Sequence, residues 1–291
     1  MEFILHILIL IAIYSILSIS LNLIVGYVGI LSIAHGALFG VAAYALGILT
    51  LDYHISFWLA LIIGGVVSSG VGLIIALPCL KLKGDYLALA TFGFAVAAYD
   101  IFNNWIDFTR GPMGIPGIEA PAILGIELSN KGLYLFTVVV FLVIAFLSMK
   151  RISNSSWGRV LQAIREEEIV VELSGKDTRR YKLITFVFSA FWAGIAGGLY
   201  AAYISFIHPS NFTPMVSILI LCMVILGGLS SLLGSIIGAF VLISLPEILR
   251  FFNLPGSLVG SLNQIIYGLI LVLLMLLRPQ GLLGRYKFIG E

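Results

Sequence analysis

The chain has 291 residues, of which 16 are Lys or Arg and 14 are Asp or Glu, so charged residues make up only 10%. Hydrophobic residues make up 60%, and the formal net charge is +2. A soluble domain carries about 25% charged residues, so this composition excludes a soluble globular protein, a disordered chain and a disulfide scaffold. The sequence predicts an integral membrane protein.

Runs without Asp, Glu, Lys, Arg or His recur along the whole chain. They cover residues 7–34, 36–51, 55–80, 86–99, 132–149, 183–207, 209–246 and 251–277. Their lengths favour helices, because a spanning helix needs about 20 apolar residues and a barrel strand needs about 10 that alternate. The run 209–246 is long enough for two helices, so we expect it to turn back at Gly227–Ser231. The sequence predicts an all-α, polytopic integral membrane helix bundle with about nine transmembrane helices, in a range of eight to ten.

Basic residues collect in a few of the segments between these runs. Residues 150–182 hold eight of the 16 Lys and Arg residues, and five more follow the third and the last runs. Cytoplasmic loops of membrane proteins carry an excess of Lys and Arg. We therefore expect the N-terminus outside, the C-terminus in the cytoplasm and residues 150–182 on the inner side.

Two parts of the chain align when the sequence is shifted by 198 positions. Gly29, Leu31, Ser32, Gly36 and Gly40 then fall on Gly227, Leu229, Ser230, Gly234 and Gly238. This predicts a parallel internal repeat, with repeat A at about 1–83 and repeat B at about 205–280 within a single transmembrane domain, 1–291. Chance agreement in glycine-rich sequence is the alternative. The spacings Gly36–Gly40 and Gly234–Gly238 predict close helix packing, either as ordinary contacts or as a translocation wall.

Residues 150–182 hold 13 of the 30 charges and include an amphipathic stretch, Ser156–Leu173. Ser155 or Ser156 is suited to cap a helix there, and Gly175 to end it. One face of this helix is apolar, with Trp157, Val160, Leu161, Ile164 and Val171. Such a helix lies on lipid headgroups, links two spans in solvent, or docks on a cytoplasmic partner.

Several kinds of chemistry have no motif in this sequence. A P-loop, a metal-ligand spacing and a G-x-S-x-G nucleophile elbow do not occur in it. Ionisable residues inside transmembrane spans normally mark ion paths, and the few here, His35, Asp100 and Glu247, lie near the ends of spans. We therefore expect a chain that is not an enzyme and that receives its energy from another protein.

Six stretches of the sequence, in order, resemble the branched-chain amino-acid ABC transporter permeases. They are Leu21–Gly40, Gly84–Gly93, Thr109–Ile115, Gly158–Gly175, Gly227–Gly238 and Arg278–Gly284. The G-D-Y stretch at Gly84 and the R-P-Q-G-L stretch at Arg278 are similar to the M-type subunit rather than to its H-type sister.

The resemblance implies an importer of leucine, isoleucine or valine in a prokaryotic cytoplasmic (inner) membrane. It implies a homologous H-type permease, two cytoplasmic ATPase subunits and an external substrate-binding protein as partners, with lipid around the chain and no role for nucleic acid. ATP and magnesium would be held by the ATPase subunits, so this chain would bind no cofactor. Because the family also includes permeases for urea and short amides, these and other amino acids are alternative substrates.

The resemblance also assigns residues 156–175 as the coupling helix, although only Glu172 and Gly175 match the family's E-A-A…G pattern. Leu161 and Ile164 would provide the packing against the ATPase, and charged residues would fix its register. The residues expected to couple to the ATPase are Arg159, Leu161, Ile164, Arg165, Glu166, Glu167, Glu168, Glu172 and Gly175.

Four polar residues within or near apolar runs are candidates for the translocation path: Asn22, Ser32, His35 and Thr91. The alternative for each is a hydrogen bond between helices, worth about 1 kcal/mol. Two other classes of function also remain open at this stage, a stand-alone secondary carrier or channel and a membrane scaffold without transport activity.

Overall fold

The computed structural model describes residues 2–82, 84–118, 121–123, 126–127, 130–250, 265–266, 268–269, 272 and 281–283. Its α-helices are α1 (Glu2–Asn22), α2 (His35–Leu51), α3 (Phe57–Cys79), α4 (Asp85–Asn104), α5 (Ile106–Thr109), α6 (Lys131–Asn154), α7 (Ser156–Glu166), α8 (Glu168–Leu173), α9 (Thr178–Ile204), α10 (Pro214–Gly227) and α11 (Leu232–Arg250). A π-helical turn, Leu23–Val28, continues α1, and two 3₁₀ turns lie at Gly111–Met113 and Pro209–Phe212.

Four short strands complete the described structure: β1 (Ile115–Pro116), β2 (Ala122–Ile123), β3 (Ile126–Glu127) and β4 (Phe206–Ile207). β1 pairs antiparallel with β4, so that Ile115 lies opposite Ile207, and β2 pairs antiparallel with β3. The first pair joins the segment after α4 to the segment after α9. Helices therefore form the body of the protein, and the strands only connect their ends.

Six helical segments in the described part of the chain are long and apolar enough to cross a membrane. They are Glu2–Val28, Phe57–Cys79, Asp85–Asn104, Lys131–Asn154, Thr178–Ile204 and Pro209–Gly227, and two shorter apolar helices are His35–Leu51 and Leu232–Glu247. These segments coincide with the predicted apolar runs as far as residue 246, which confirms a multi-pass helical membrane protein. The last predicted run, 251–277, which would form the ninth helix, falls almost wholly outside the described residues, so the count of nine and the repeat stay predictions.

The centre of the bundle is formed by α2, α3 and α9, which approach one another closely. A Cβ atom at Gly194 of α9 would lie 2.7 Å from Cβ of Ser68 in α3, and one at Gly197 would collide with the carbonyl oxygen of Phe39 in α2. Lipid is as apolar as these side chains, so helices in a membrane associate through close packing and hydrogen bonds. Small residues on α9 therefore set the spacing of this core.

The predicted glycine pairs also lie at close contacts between helices. A Cβ at Gly36 would lie 2.6 Å from Oγ of Ser217, and a Cβ at Gly40 would lie 2.8 Å from the rings of Phe102 and Phe212. In the second pair, a Cβ at Gly234 would collide with the carbonyl of Gly227, and a Cβ at Gly238 with the carbonyl of Met223. The second pair therefore holds α10 and α11 together as an antiparallel helical hairpin.

The long apolar run 209–246 turns back where the sequence predicted. α10 ends at Gly227 and α11 begins at Leu232, and residues 228–231 between them are not helical. Gly228 and Ser230 have φ angles of 110° and 59° in this turn, which reverse the chain. We call residues 228–231 the second break.

The first helix ends in a comparable irregular segment. Its last turn is the π-helical Leu23–Val28, Gly29 follows with a φ of 78°, and α2 begins only at His35. We call residues 23–34 the first break. The two breaks touch each other, because a Cβ at Gly26 would lie only 2.5 Å from the amide nitrogen of Ser230.

Candidate functional site

The most charged part of the chain lies between α6 and α9, and we call residues 155–177 the connecting segment. Ser155 caps α7 by accepting a hydrogen bond from the amide of Gly158 at 3.4 Å, and Asp177 caps α9 by accepting one from the amide of Arg180 at 3.1 Å. Ser155 is therefore the N-cap among the two candidates. The predicted single helix over Ser156–Leu173 is interrupted at Glu167, whose extended backbone (φ −155°, ψ 99°) separates α7 from α8.

The apolar face of α7 is buried inside this chain. Leu161 is 0% exposed and Ile164 4% exposed, and Ile164 packs with Val160, Val171 and Tyr181. Leu161 and Ile164 therefore present no exposed surface to an ATPase in this structure, and their predicted part in coupling stays a prediction. The amphipathic pattern correctly indicated a covered face, but the covering surface is provided by the chain itself. These residues fix the connecting segment on the bundle.

Trp157 and Glu168 attach the same segment to the start of α9. The indole of Trp157 lies 4.2 Å from the ring of Tyr181, and its Nε1 donates to Oγ1 of Thr185 at 3.2 Å. Glu168 forms an ion pair with Lys182 at 2.5 Å and accepts a hydrogen bond from Thr178 at 3.0 Å. Glu168 was predicted to face the ATPase, and the structure instead directs it toward α9. The N-terminal end of α8 is therefore attached to α9, a long helix of the core.

The outward face of the connecting segment combines exposed charges with exposed apolar side chains. Five of the predicted coupling residues are exposed on it: Arg159, Glu166, Glu167, Glu172 and Gly175. Ile169 is 59% exposed, Val170 61% and Leu173 83%, all on α8. The sequence interpretation missed these three because it continued the α7 pattern through Glu167, whereas residues 168–173 form a separate face.

Arg165 points into the protein and not toward this outward face. It is half-buried, and its Nη1 donates hydrogen bonds to the carbonyl oxygen of Gly26 and to Oγ of Ser230, the latter at 2.6 Å. In this structure Arg165 therefore bonds to its own chain, and its predicted contact with the ATPase stays a prediction. A polar cleft of about 290 Å³ lies beside it and is lined by Tyr27, Ser153, Asn154, Gln162, Arg165, Glu166 and Ser230. Arg165 thus joins the connecting segment to both breaks.

The four candidates for the translocation path are all fully buried. Oγ1 of Thr91 accepts from the amide of Ile33 at 3.1 Å, and Nε2 of His35 lies 3.0 Å from Oγ of Ser189. Oγ of Ser32 accepts from the amide of Ala34 at 3.4 Å. These contacts favour the alternative of hydrogen bonds within the bundle, and the assignment to a path stays a prediction.

Asn22, the fourth candidate, connects the end of α1 to the second break. Its Oδ1 accepts from the amide of Ser230 at 3.1 Å, and its Nδ2 donates to the carbonyl of Ser231 at 3.0 Å and to Oγ of Ser235 at 2.6 Å. These partners lie more than 200 residues away in the sequence. Asn22 therefore uses its whole amide group to connect two distant helix ends.

Other parts of the described structure offer less to a polar ligand. A cleft of about 540 Å³ between α2, α3 and α4 is lined almost entirely by apolar side chains, among them Val41, Tyr44, Val71, Phe94, Phe102 and Trp105. The ammonium and carboxylate groups of an amino acid would lack polar partners there. Among the described residues, no group of His, Cys, Asp and Glu is arranged to hold a metal ion.

Comparisons with known proteins identify the family of the chain. Residues 3–275 match the family model described as branched-chain amino acid transport system / permease component. The chain is 34% identical to the high-affinity branched-chain amino acid transport system permease protein LivM of Escherichia coli (strain K12), over 93% of this chain and 68% of that protein. It is 27% identical to the probable branched-chain amino acid transport permease protein LivM of Methanocaldococcus jannaschii, over 79% of this chain and 69% of that protein.

A sister subunit is more distantly similar. The LivH permease protein of the Salmonella typhimurium system is 24% identical over 94% of this chain and 91% of that protein. No solved structure matches the chain. Because the family model covers nearly the whole sequence and the LivM relative exceeds 30% identity, the chain belongs to the family of permease components of branched-chain amino acid transport systems.

Proposed function

We propose that this chain is the M-type permease subunit of an ATP-driven ABC importer for leucine, isoleucine and valine. The observation that carries the proposal is the 34% identity to a LivM permease over 93% of this chain, against 24% to a LivH permease. The difference favours the M-type role in a pair of unlike permeases. The eight apolar helices of the described structure supply the membrane body that such a subunit needs.

The proposal includes the partners and the orientation of the chain. The second permease is an H-type homologue, substrate arrives from an external binding protein, and two ATPase subunits bind on the cytoplasmic side with their ATP and magnesium. This chain itself binds no cofactor. The basic residues of 150–182 favour the cytoplasmic side for the connecting segment. With nine crossings of a prokaryotic inner membrane and a parallel repeat, the N-terminus is then outside and the C-terminus inside.

The ATPase docks on α8 and on the exposed side of α7. Ile169, Val170 and Leu173 are the apolar anchors, because buried apolar anchors carry most of the affinity of an interface. The exposed carboxylates of Glu166, Glu167 and Glu172 surround them and favour a partner groove with a basic rim. The long-range attraction of those charges would raise the association rate and fix the register.

A substitution at Leu173 tests this surface without disturbing the bundle, since the side chain is 83% exposed. We expect Leu173→Asp to insert and fold normally but to lose the two ATPase subunits when the complex is purified through a tag on this chain. Leu82→Asp is the matched control, because Leu82 is 41% exposed and lies between α3 and α4, outside the connecting segment. Full recovery of the ATPase subunits with Leu173→Asp would show that α8 is not the docking surface.

The same purification tests the function as a whole. Two ATPase subunits and a second permease should accompany the wild-type chain from its native membrane, and the reconstituted complex should take up leucine only with ATP and a loaded binding protein. Flux through this chain alone in liposomes would favour a secondary carrier or channel. A full complex that moves no solute would favour a scaffold. Thermal shifts of the cognate binding protein with leucine, isoleucine, valine, urea and acetamide would identify the substrate.

A further inference from the structure

Arg165 makes the contact between the connecting segment and the two breaks. Its Nη1 donates to the carbonyl of Gly26 in the first break and to Oγ of Ser230 in the second break, at 2.6 Å for the latter. Ser230 Oγ in turn donates to the same Gly26 carbonyl at 2.8 Å. One guanidinium therefore bonds to both breaks at the point where they meet.

The backbone around Arg165 is shaped to receive its side chain. A Cβ at Gly29 would lie 2.6 Å from Cγ of Arg165, so only glycine leaves room for the aliphatic part of the arginine. Gly29 also has a φ of 78°, a conformation that other residues rarely adopt. The first break is thus open on the side from which Arg165 enters.

The two breaks are bonded to each other and are expected to move together. Oδ1 of Asn22 accepts from the amide of Ser230 at 3.1 Å, and the hydroxyl of Tyr27 donates to the carbonyl of Ser230 at 2.9 Å. Irregular backbone at membrane depth is tolerated where protein surrounds it, and such segments are common places for helices to change angle. A displacement at Ser230 would therefore change the angle of α1 as well as that of the α10–α11 hairpin.

Arg165 also lies next to the joint of the connecting segment. α7 ends at Glu166, Glu167 is extended, and the exposed helix α8 begins at Glu168. A partner that moves α8 would act first on the C-terminal turn of α7, which carries Arg165. Hydrogen bonds from a charged donor are roughly twice as strong as neutral ones, so this contact ties the C-terminal turn of α7 firmly to both breaks.

We propose that Arg165 is a positioning residue that transmits movement of the connecting segment to the paired breaks of α1 and α10–α11. The proposal rests on the proposed function, because the ATPase subunits supply the movement. It assigns Arg165 a role separate from docking, which belongs to the exposed residues of α8 and of the outer side of α7. If Arg165 only stabilised the fold, its replacement would lower the yield of complex and would leave the coupling of ATP hydrolysis to uptake unchanged.

The test uses the full complex in proteoliposomes with its binding protein. For Arg165→Ala we expect normal recovery of both ATPase subunits, and about a 10-fold or larger loss of uptake and of ATPase stimulation by the loaded binding protein. Arg165→Lys keeps a charged donor and should restore a large part of both activities. Arg151→Ala is the matched control, since it removes a basic charge from an exposed position at the end of α6 and should behave like the wild type.

Two results for Arg165→Ala would overturn the proposal: uptake at the wild-type rate, or a reduced yield of complex with normal uptake per complex recovered. If this variant yields no complex, Ser230→Ala decides, because it removes a single hydroxyl, which accepts from Arg165 and donates to the carbonyl of Gly26. We expect Ser230→Ala to lower uptake per complex several-fold, and unchanged uptake would overturn the proposal. A wild-type complex without ATP-dependent uptake would overturn the proposed function and this inference with it.

Discussion

Replacing Asn22 with Ala separates two roles for polar groups within the spans, holding helices together and lining a path. Asn22 is fully buried and makes three short hydrogen bonds, to the amide of Ser230, the carbonyl of Ser231 and Oγ of Ser235. Alanine removes all three and leaves the amide of Ser230 without the acceptor that Asn22 provides. The substitution therefore acts on the contact between the first helix and the α10–α11 hairpin.

The size of the effect follows from the number of these bonds. Hydrogen bonds between helices in a membrane contribute about 0.6 kcal/mol on average and up to about 1.7 kcal/mol. Three bonds then contribute about 2 kcal/mol, and the buried amide left without its acceptor adds about 1 kcal/mol or more. We expect Asn22→Ala to lower the free energy of unfolding by about 2–3 kcal/mol.

The measurement is an SDS titration of the purified permease in mixed micelles, followed by circular dichroism. Ser20→Ala is the matched control, because Ser20 is equally buried on α1 and its hydroxyl donates only to the carbonyl of Leu17 at 2.7 Å, within the same helix. Loss of that local bond should cost less than about 1 kcal/mol. The difference between the two variants isolates the contribution of the contacts between helices.

Two results would refute this reasoning about Asn22. If Asn22→Ala is as stable as Ser20→Ala, the bonds to the second break do not hold the helices together. If Asn22→Ala keeps wild-type stability and complex recovery but loses uptake, the side chain acts on the substrate or its path, as the sequence alone allowed.

Further predictions concern packing, surface charge and topology. Gly40→Ala should lower the free energy of unfolding by about 1–3 kcal/mol in the same titration, because its Cβ would lie 2.8 Å from two aromatic rings. Gly93→Ala is the control and should be neutral, because nothing lies within 4 Å of a Cβ at Gly93. An equal loss in the free energy of unfolding for the two variants would contradict the packing argument. Arg110→Gln removes an exposed 3.0 Å ion pair with Asp52 and should change stability by less than about 1 kcal/mol. Cysteines placed at Asp52 and Arg250 should both react with an impermeant reagent from the outside, and labelling from opposite sides would refute the repeat and the orientation.

The apolar runs could be predicted from sequence because membrane lipid imposes a simple requirement on length and composition. The turn at residues 228–231 could be predicted for a related reason, since a run of 38 residues, 209–246, is too long for one crossing. The cap at Ser155 followed from its side-chain chemistry. These features depend on local sequence, so a single chain is enough to infer them.

The errors in the site came from information that local sequence does not contain. An amphipathic pattern shows that one face of α7 is covered, but not whether the cover is Tyr181 of the same chain or another protein. The joint at Glu167 has no glycine or proline to mark it. Ser230, a partner of both Asn22 and Arg165, lies 208 and 65 positions away from them, respectively. Contacts at such separations are set by how the helices assemble.

Because the connecting segment is divided at Glu167, attachment to the bundle and docking of the ATPase lie on two separate helices. A single helix would combine these two properties. A single rigid amphipathic helix would contact its own chain with one face and the ATPase with the other. Because one rigid body would carry both contacts, a substitution that shifted the helix would disturb both. Here α7 is held by buried Leu161 and Ile164, while α8 presents Leu173 to the outside. Loss of docking and loss of transmission should therefore be separable, with Leu173→Asp losing the ATPase subunits and Arg165→Ala giving a complete complex whose ATP hydrolysis is neither stimulated by the loaded binding protein nor coupled to uptake.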